Sequence, residues 1–198
     1  MLSRQGYRLK KEDLTNEQKS KLLKDLTAKP KMVPGFGPPG KDKQIEYPIF
    51  LESSTSYYVP RFYGINHHGP VTTNKLGSGL PIDIQFKGSL RSEQIPIQNL
   101  FLDQNKGSSQ DYGAGGIISL KCGGGKTVLA LSIISELQKK TIVLVHKDFL
   151  MTQWRDRILE FLPDAKVGKI QQDTIDVEGK DIVLAMVQSV SVKEYPKE

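Results

Sequence analysis

Residues 123–127 read Gly-Gly-Gly-Lys-Thr, after the apolar run GIISL (116–120) and before VLALSII (128–134). Three successive glycines clear side chains from a point where backbone N–H groups can converge. A lysine and a threonine then open an apolar, helix-like stretch. Such a loop is suited to phosphate: the N–H groups and the positive end of the following helix hold phosphate oxygens. Lys126 would reach the β- and γ-phosphates, and the Thr127 hydroxyl would ligate Mg²⁺. ATP with Mg²⁺ is therefore the expected ligand of Gly123, Gly124, Gly125, Lys126 and Thr127. The strict phosphate-loop pattern asks for a small residue at position 120, where Leu120 stands. Glycine turns alone are common, so the strand–loop–helix setting carries the reading.

Phosphate binding is not hydrolysis. Turnover needs an aspartate on Mg²⁺ and an acidic neighbour that orients water. The chain contains no Asp-Glu dipeptide, and its last apolar run ends in Met186-Val187-Gln188 without a carboxylate. No catalytic residue is therefore expected in this stretch of protein. His67-His68 has no carboxylate or cysteine at ligand spacing and reads as a surface turn. Cys122 is the sole cysteine. It cannot pair within the chain, which points to an intracellular, reducing location. No apolar run approaches the ~20 residues of a membrane span, and the N-terminus lacks a secretory apolar core.

The elements that would position the loop follow from periodicity. SLRSEQIPIQNLFLDQ has helical spacing, with Pro96 in the first turn. GIISLK and TIVLVH read as buried strands, and GKTVLALSIISELQKK as the helix between them. DFLMTQWRDRILEFLP is a helix with Met151, Trp154, Ile158 and Phe161 on one face. KVGKIQ and DIVLAMVQSV are further strands. Short apolar strands alternating with helices predict an α/β fold with a parallel sheet covered on both faces.

Upstream the pattern differs. LTNEQKSKLLKDL predicts a short helix capped by Thr15 with Gln18 in a capping box, and with Leu22, Leu23 and Leu26 on one face. Residues 29–43 are dense in Pro, Gly and Lys and read as a linker. Residues 47–65 predict two short strands that end in an aromatic-basic cluster, and PIDIQF (81–86) alternates like a strand. The expected organisation is a basic arm over 1–43, a small β-rich module over 44–88, and a nucleotide-binding domain over 89–198. Residues 1–43 hold 11 Lys/Arg against 5 Asp/Glu, which accounts for the whole net charge of +6. This excess suits a polyanion such as nucleic acid, or else a solvated tail. Tyr57, Tyr58, Arg61, Phe62 and Tyr63 could stack on bases, or equally form the core of the module.

LKCGGGKT (120–127) resembles motif I of superfamily 2 helicases, in the variant of the relatives of xeroderma pigmentosum group B protein. LRSEQIPIQ resembles the element that opens their first RecA-like domain. IVLVHKDFLMTQWRDRI resembles motif Ia, and VLAMVQSV the later T-x-x-Q-S segment, with Ala185 at the first threonine. The spacing of GKIQQDTIDVEGKDIVLAMVQSV is similar to the helicase branch of large nucleocytoplasmic DNA viruses. The resemblance is firm over 89–198 and fainter over 44–88. It implies that Gln94 reads the adenine edge, that Arg91 supports the loop, and that His146, Lys147, Gln188 and Ser189 face a nucleic-acid backbone. Read singly, these six are polar residues at helix starts and loops. The implied parent is an ATP-driven DNA helicase or translocase, with RNA or a DNA–RNA hybrid as other substrates. Viral transcription machinery would be its setting, in a virion, viral factory or nucleus. The chain then reads as the N-terminal part, truncated before the D-E-x-H motif and inactive alone. The contrasting reading is a non-enzymatic module that binds nucleotide or nucleic acid.

Overall fold

The computed structural model describes residues 1–29, 46–106 and 115–192, without the side chains of Asn105 and Lys106. The linker expected at 29–43 lies almost wholly outside these residues. The chain divides into two compact units, Met1–Gly77 and Ser78–Glu198.

In the first unit, β1 (Leu2–Ser3), β2 (Gly6–Lys10), β5 (Leu51–Glu52) and β6 (Ser56–Val59) form one antiparallel sheet in the order β1-β2-β6-β5. Tyr7 pairs with Val59 and Leu9 with Tyr57, and all four are buried. Alternation along GYRLK places Tyr7 and Leu9 inward, as a half-buried strand requires. A second, two-stranded sheet joins β3 (Thr27–Ala28) to β4 (Tyr47–Pro48).

The expected capping box is present on α1 (Asn16–Asp25). The Thr15 hydroxyl accepts from Gln18 N at 3.2 Å, and Gln18 Oε1 accepts from Thr15 N at 2.9 Å. Leu22 and Leu26 are buried, whereas Leu23 is 40% exposed.

Two expectations change here. Residues 1–29 are not a separate arm, because β2 inserts between β1 and β6 and contributes to the core. The aromatic-basic cluster is divided: Tyr57 and Tyr58 lie in β6 as expected, whereas Arg61, Phe62 and Tyr63 open α2 (Arg61–His68), which begins after Pro60. Tyr57 is core, edge-on to Phe50 at 5.8 Å, with Lys11 Nζ 4.9 Å from its ring centroid. Tyr63 donates to Asp25 at 3.1 Å. Burial, helped by that carboxylate, pushes its hydroxyl above the usual range.

In the second unit, α3 (Ile95–Lys106) and α4 (Lys126–Leu137) precede β7 (Thr141–Val145), α5 (Asp148–Phe161), β8 (Val167–Gln171), β9 (Thr174–Asp176), β10 (Ile182–Met186) and α6 (Val187–Val192). The sheet order is β7-β10-β8-β9. β10 runs parallel to both β7 and β8, and β9 is antiparallel to β8. This is the expected α/β architecture. The centre of the core is β10, whose Ile182 and Leu184 face α4 and α5 among Leu131, Ile134, Met151, Ile158 and Leu162. Trp154 packs against that cluster, as its helical stripe predicts. Val183 and Ala185 face the other way, with Ile170, Val177 and Val190.

Residues 81–86 form no ladder strand beyond one bridge between Pro81 and Lys139. They lie along the end of α4, where Gln138 Nε2 donates to Ile84 O at 2.6 Å and Phe86 N donates to Ser135 Oγ at 3.1 Å. Side chains satisfy groups that a neighbouring strand would otherwise pair. The expected strand GIISLK is likewise unpaired. Ile118 and Leu120 rest on Leu102, Leu129 and Ile133 of α3 and α4, while Ile117 is 98% exposed. These residues find apolar partners on helices, and among the described residues no strand lies beside them.

β7 is an edge strand of the described sheet, and Ile142 and Leu144 pair with Val183 and Ala185 on one face. Unlike their buried partners they are 53% and 56% exposed. An exposed apolar patch beside an open edge favours association. Replacing both by threonine should reduce light scattering in concentrated solution and change unfolding free energy by less than about 1 kcal/mol. Ile158→Ala, at a site with 0% exposure, should by contrast cost about 2–5 kcal/mol in urea unfolding.

Candidate nucleotide and nucleic-acid site

The loop before α4 takes its shape from two left-handed glycines. Gly123 has φ +74° and Gly125 φ +73°, a region that costs residues with a Cβ about 1–2 kcal/mol. Gly125 is the N-cap, and no side chain caps the helix. The N–H groups of the first turn have no intrahelical acceptor and remain for a ligand.

Around this turn the neighbouring groups are specific. Lys126 Nζ donates to Leu120 O at 2.9 Å and Lys121 O at 3.0 Å. The cation thus folds back over the loop that precedes it. Arg91 Nη1 donates to Gly123 O at 3.1 Å. Gln94 is 2% exposed. Its Nε2 donates to Gly124 O at 3.1 Å and Gly125 O at 3.0 Å, and its Oε1 accepts from Arg91 N at 2.8 Å. The Thr127 hydroxyl makes no hydrogen bond among the described residues.

α3 is anchored to α4 by Gln98 Nε2, which donates to Ser132 Oγ at 2.7 Å, and by Leu102 against Leu129 and Ile133. Arg91, Gln94 and Gly123–Lys126 therefore form one cluster, although the side chains that grip the loop lie about thirty residues before it. A cradle of bare N–H groups, a neighbouring cation and a half-buried hydroxyl fits a phosphorylated ligand with a divalent metal.

A second cluster forms where β7 and β10 end side by side, with Val145 paired to Met186. His146 and Lys147 follow β7, and Gln188 and Ser189 lie in α6 directly after β10. Gln188 Nε2 donates to His146 O at 3.0 Å, and Ser189 Oγ accepts from Gln172 N at 2.9 Å. His146, Lys147 and Gln188 are exposed. The carboxyl ends of parallel strands are where open α/β sheets bind ligands. The resemblance named these four residues but not Gln172, whose left-handed φ of 50° follows β8 and whose N–H meets Ser189 Oγ. It also missed the carbonyls of Leu120 and Lys121, since nothing in a side-chain pattern marks a backbone acceptor.

Residues 87–198 match the family described as type III restriction enzyme, res subunit. The chain belongs to this family. It is a helicase-type domain of superfamily 2, as the glycine loop and its neighbours imply. Among curated proteins, L396 of Acanthamoeba polyphaga mimivirus, assigned as an ATP-dependent RNA helicase, is 29% identical over 199 residues, covering 100% of this chain and 37% of that protein. The DNA 3′-5′ translocase XPB2 of Sulfurisphaera tokodaii is 45% identical over 125 residues, 63% of this chain and 26% of that protein. Among solved structures, the SWI2/SNF2 ATPase core of Sulfolobus solfataricus in complex with dsDNA overlaps 60% of this chain and 25% of its own, at 21% identity and TM-score 0.48. This helicase-type chain thus spans 37% or less of each of these relatives. No helix among its described residues is long and apolar enough to cross a membrane.

The glycines make separable contributions. At Gly123 a Cβ would meet open space, whereas at Gly125 it would stand 2.5 Å from Gln94 Nε2. Gly123→Ala should therefore cost about 1–2 kcal/mol from backbone strain alone. Gly125→Ala should cost more, because it also displaces a buried amide. Urea unfolding followed by the fluorescence of Trp154, the chain's single tryptophan, measures both.

Proposed function

We propose that this chain is the ATP- and nucleic-acid-binding N-terminal part of an ATP-dependent DNA helicase or translocase. Residues 89–198 are its nucleotide-binding portion. The observation that carries the reading is the uncapped glycine turn before α4, with Lys126 beside it. Gly123–Gly125 and the first turn of α4 would hold the phosphates. Lys126 would exchange the carbonyls of Leu120 and Lys121 for the terminal phosphates, and Thr127 would contribute an oxygen to Mg²⁺. The metal would neutralise the phosphate charge. His146, Lys147, Gln188 and Ser189 would follow a DNA backbone, since exposed donors at strand ends suit phosphate oxygens.

In the parent protein, nucleotide turnover would drive movement on DNA. The present chain would bind without turning over, because it has no Asp-Glu pair to hold the metal and orient water.

Titration with ATP and Mg²⁺ tests the nucleotide site. Wild type should bind and release essentially no phosphate. Lys126→Ala should weaken binding by about 1.5–3 kcal/mol, the scale of a hydrogen bond to a charged group. Cys122→Ala should leave affinity unchanged, since Cys122 is exposed. Equal affinity of wild type and Lys126→Ala would refute the site, and rapid turnover by wild type would refute the division of labour. For DNA, Lys147→Ala should lower the slope of log affinity against log salt by about 1 without altering sequence preference. Parallel titrations with RNA of the same sequence should show weaker binding, and tighter binding to RNA would overturn the choice of DNA.

A further inference from the structure

We infer that the recess between α5 and the β8–β9 hairpin is a further nucleic-acid contact, where Arg155 and Lys169 take the phosphodiester of a DNA strand. The inference rests on the reading of His146, Lys147, Gln188 and Ser189 as a face that follows DNA, and it extends that face.

Periodicity brings the residues of the recess together. Asp148, Thr152 and Arg155 are spaced by four and three along α5 and so share one side of the helix. Val167, Lys169 and Gln171 alternate along β8 and share one side of the strand. Lys169 pairs with Asp176 of β9, so that carboxylate stands on the same side. Together they line a recess of about 330 Å³, near the lower end of the range for ligand pockets. Buried Met151 and Leu184 close it towards the core.

Charge decides what the recess can take. Asp148 Oδ1 accepts from Gln171 Nε2 at 2.6 Å, and Asp176 Oδ2 meets Lys180 Nζ at 3.2 Å. Both carboxylates thus have partners within the chain. Arg155 and Lys169 are exposed and have no hydrogen bond or ion pair among the described residues. Two cations converge from separate elements on one recess whose anions are engaged, so the charge left for a ligand is positive. An arginine fork and a lysine ammonium both suit phosphate oxygens, which receive a large share of protein–DNA hydrogen bonds.

Place then selects a strand over a small phosphate. Asp148 follows Lys147, and Gln171 precedes Gln172, whose N–H donates to Ser189 Oγ. The recess is therefore continuous with the face at the strand ends. Asp148 and Arg155 are seven residues apart on α5, a rise of about 10 Å. That is the span of about three phosphates in a B-form strand. A strand held at Lys147 would reach Arg155 without leaving the surface.

The test is fluorescence anisotropy of the full chain with a labelled single DNA strand across a salt series. The variants are Arg155→Gln, Lys169→Gln, both together, Arg155→Lys and Lys147→Ala. Arg157→Gln is the control, since Arg157 is on the same helix, pairs with Glu160 and does not line the recess. Far-UV circular dichroism melts confirm that every variant folds. Each glutamine variant in the recess should lower the slope of log affinity against log salt by about 0.7, and the pair by about 1.4. Arg155→Lys should restore the slope, and Arg157→Gln should leave it unchanged. Unchanged slopes in the recess variants, with a lower slope in Lys147→Ala, would overturn the recess and leave the strand-end face standing. Lower slopes in the recess variants alone would uphold the recess and overturn the strand-end reading. A wild type that binds no strand overturns both. An equal fall in Arg157→Gln would reduce the effect to net charge and overturn the inference. Inorganic phosphate is the other source of the same chemistry. Displacement of the strand by it, at an ionic strength where chloride has no effect, would assign the recess to a small phosphorylated ligand and overturn the inference.

Discussion

A turn of three glycines has no side chains with which to hold itself, so its shape must be imposed by what surrounds it. Two of these glycines take left-handed angles that other residues adopt only at a cost of about 1–2 kcal/mol. Left alone, such a turn would sample many conformations and lose that entropy when it closed on a ligand. Here the surrounding groups are a buried amide, an arginine and a lysine, each on a loop carbonyl. The amide is anchored because α3 is anchored, through Gln98 on Ser132 and Leu102 on Leu129 and Ile133. The packing of one helix on the next thus reaches the backbone where phosphate would be gripped.

The same dependence on neighbours explains the second cluster. His146 and Gln188 are far apart in sequence, and the parallel register of β7 and β10 brings their strand ends level. β10 is buried on both faces, between the α4–α5 core and the cluster around Ile170 and Val190. Continuous apolar sequence is what such a central strand requires. Its neighbour β7 shows the converse, since its apolar alternation is covered on one face and open on the other.

The N-terminal unit shows how charge and fold can be read apart. Its excess of lysine and arginine is real, yet part of it is spoken for. Lys10 meets Glu12 at 2.9 Å and Lys11 meets Glu52 at 2.6 Å. Such exposed pairs contribute little stability, but they lower the local field available to a polyanion. Tyr57, one of the aromatics that could have stacked on bases, lies in the core instead.

Much of this protein was legible in its sequence. The capping box at Thr15 and Gln18, the apolar stripe of α5, the buried run of β10 and the glycine loop before α4 are local patterns. Their cause is the geometry of a single helix or strand, so a dozen residues suffice to specify them. Pro96 in the first turn of α3 was legible for the same reason. PIDIQF and GIISLK alternate or run apolar as strands do, but a strand also needs a neighbour. Among the described residues the neighbour is a helix end or a helix face. Residues 1–29 looked like an arm because composition registers charge and not the partner strand that arrives more than forty residues later. Gln94 shows the limit most sharply. Its presence and spacing were visible from sequence, but the loop carbonyls that its amide meets were not. Burial and hydrogen-bond complementarity across thirty residues of chain select those partners, and both exist only in the folded protein.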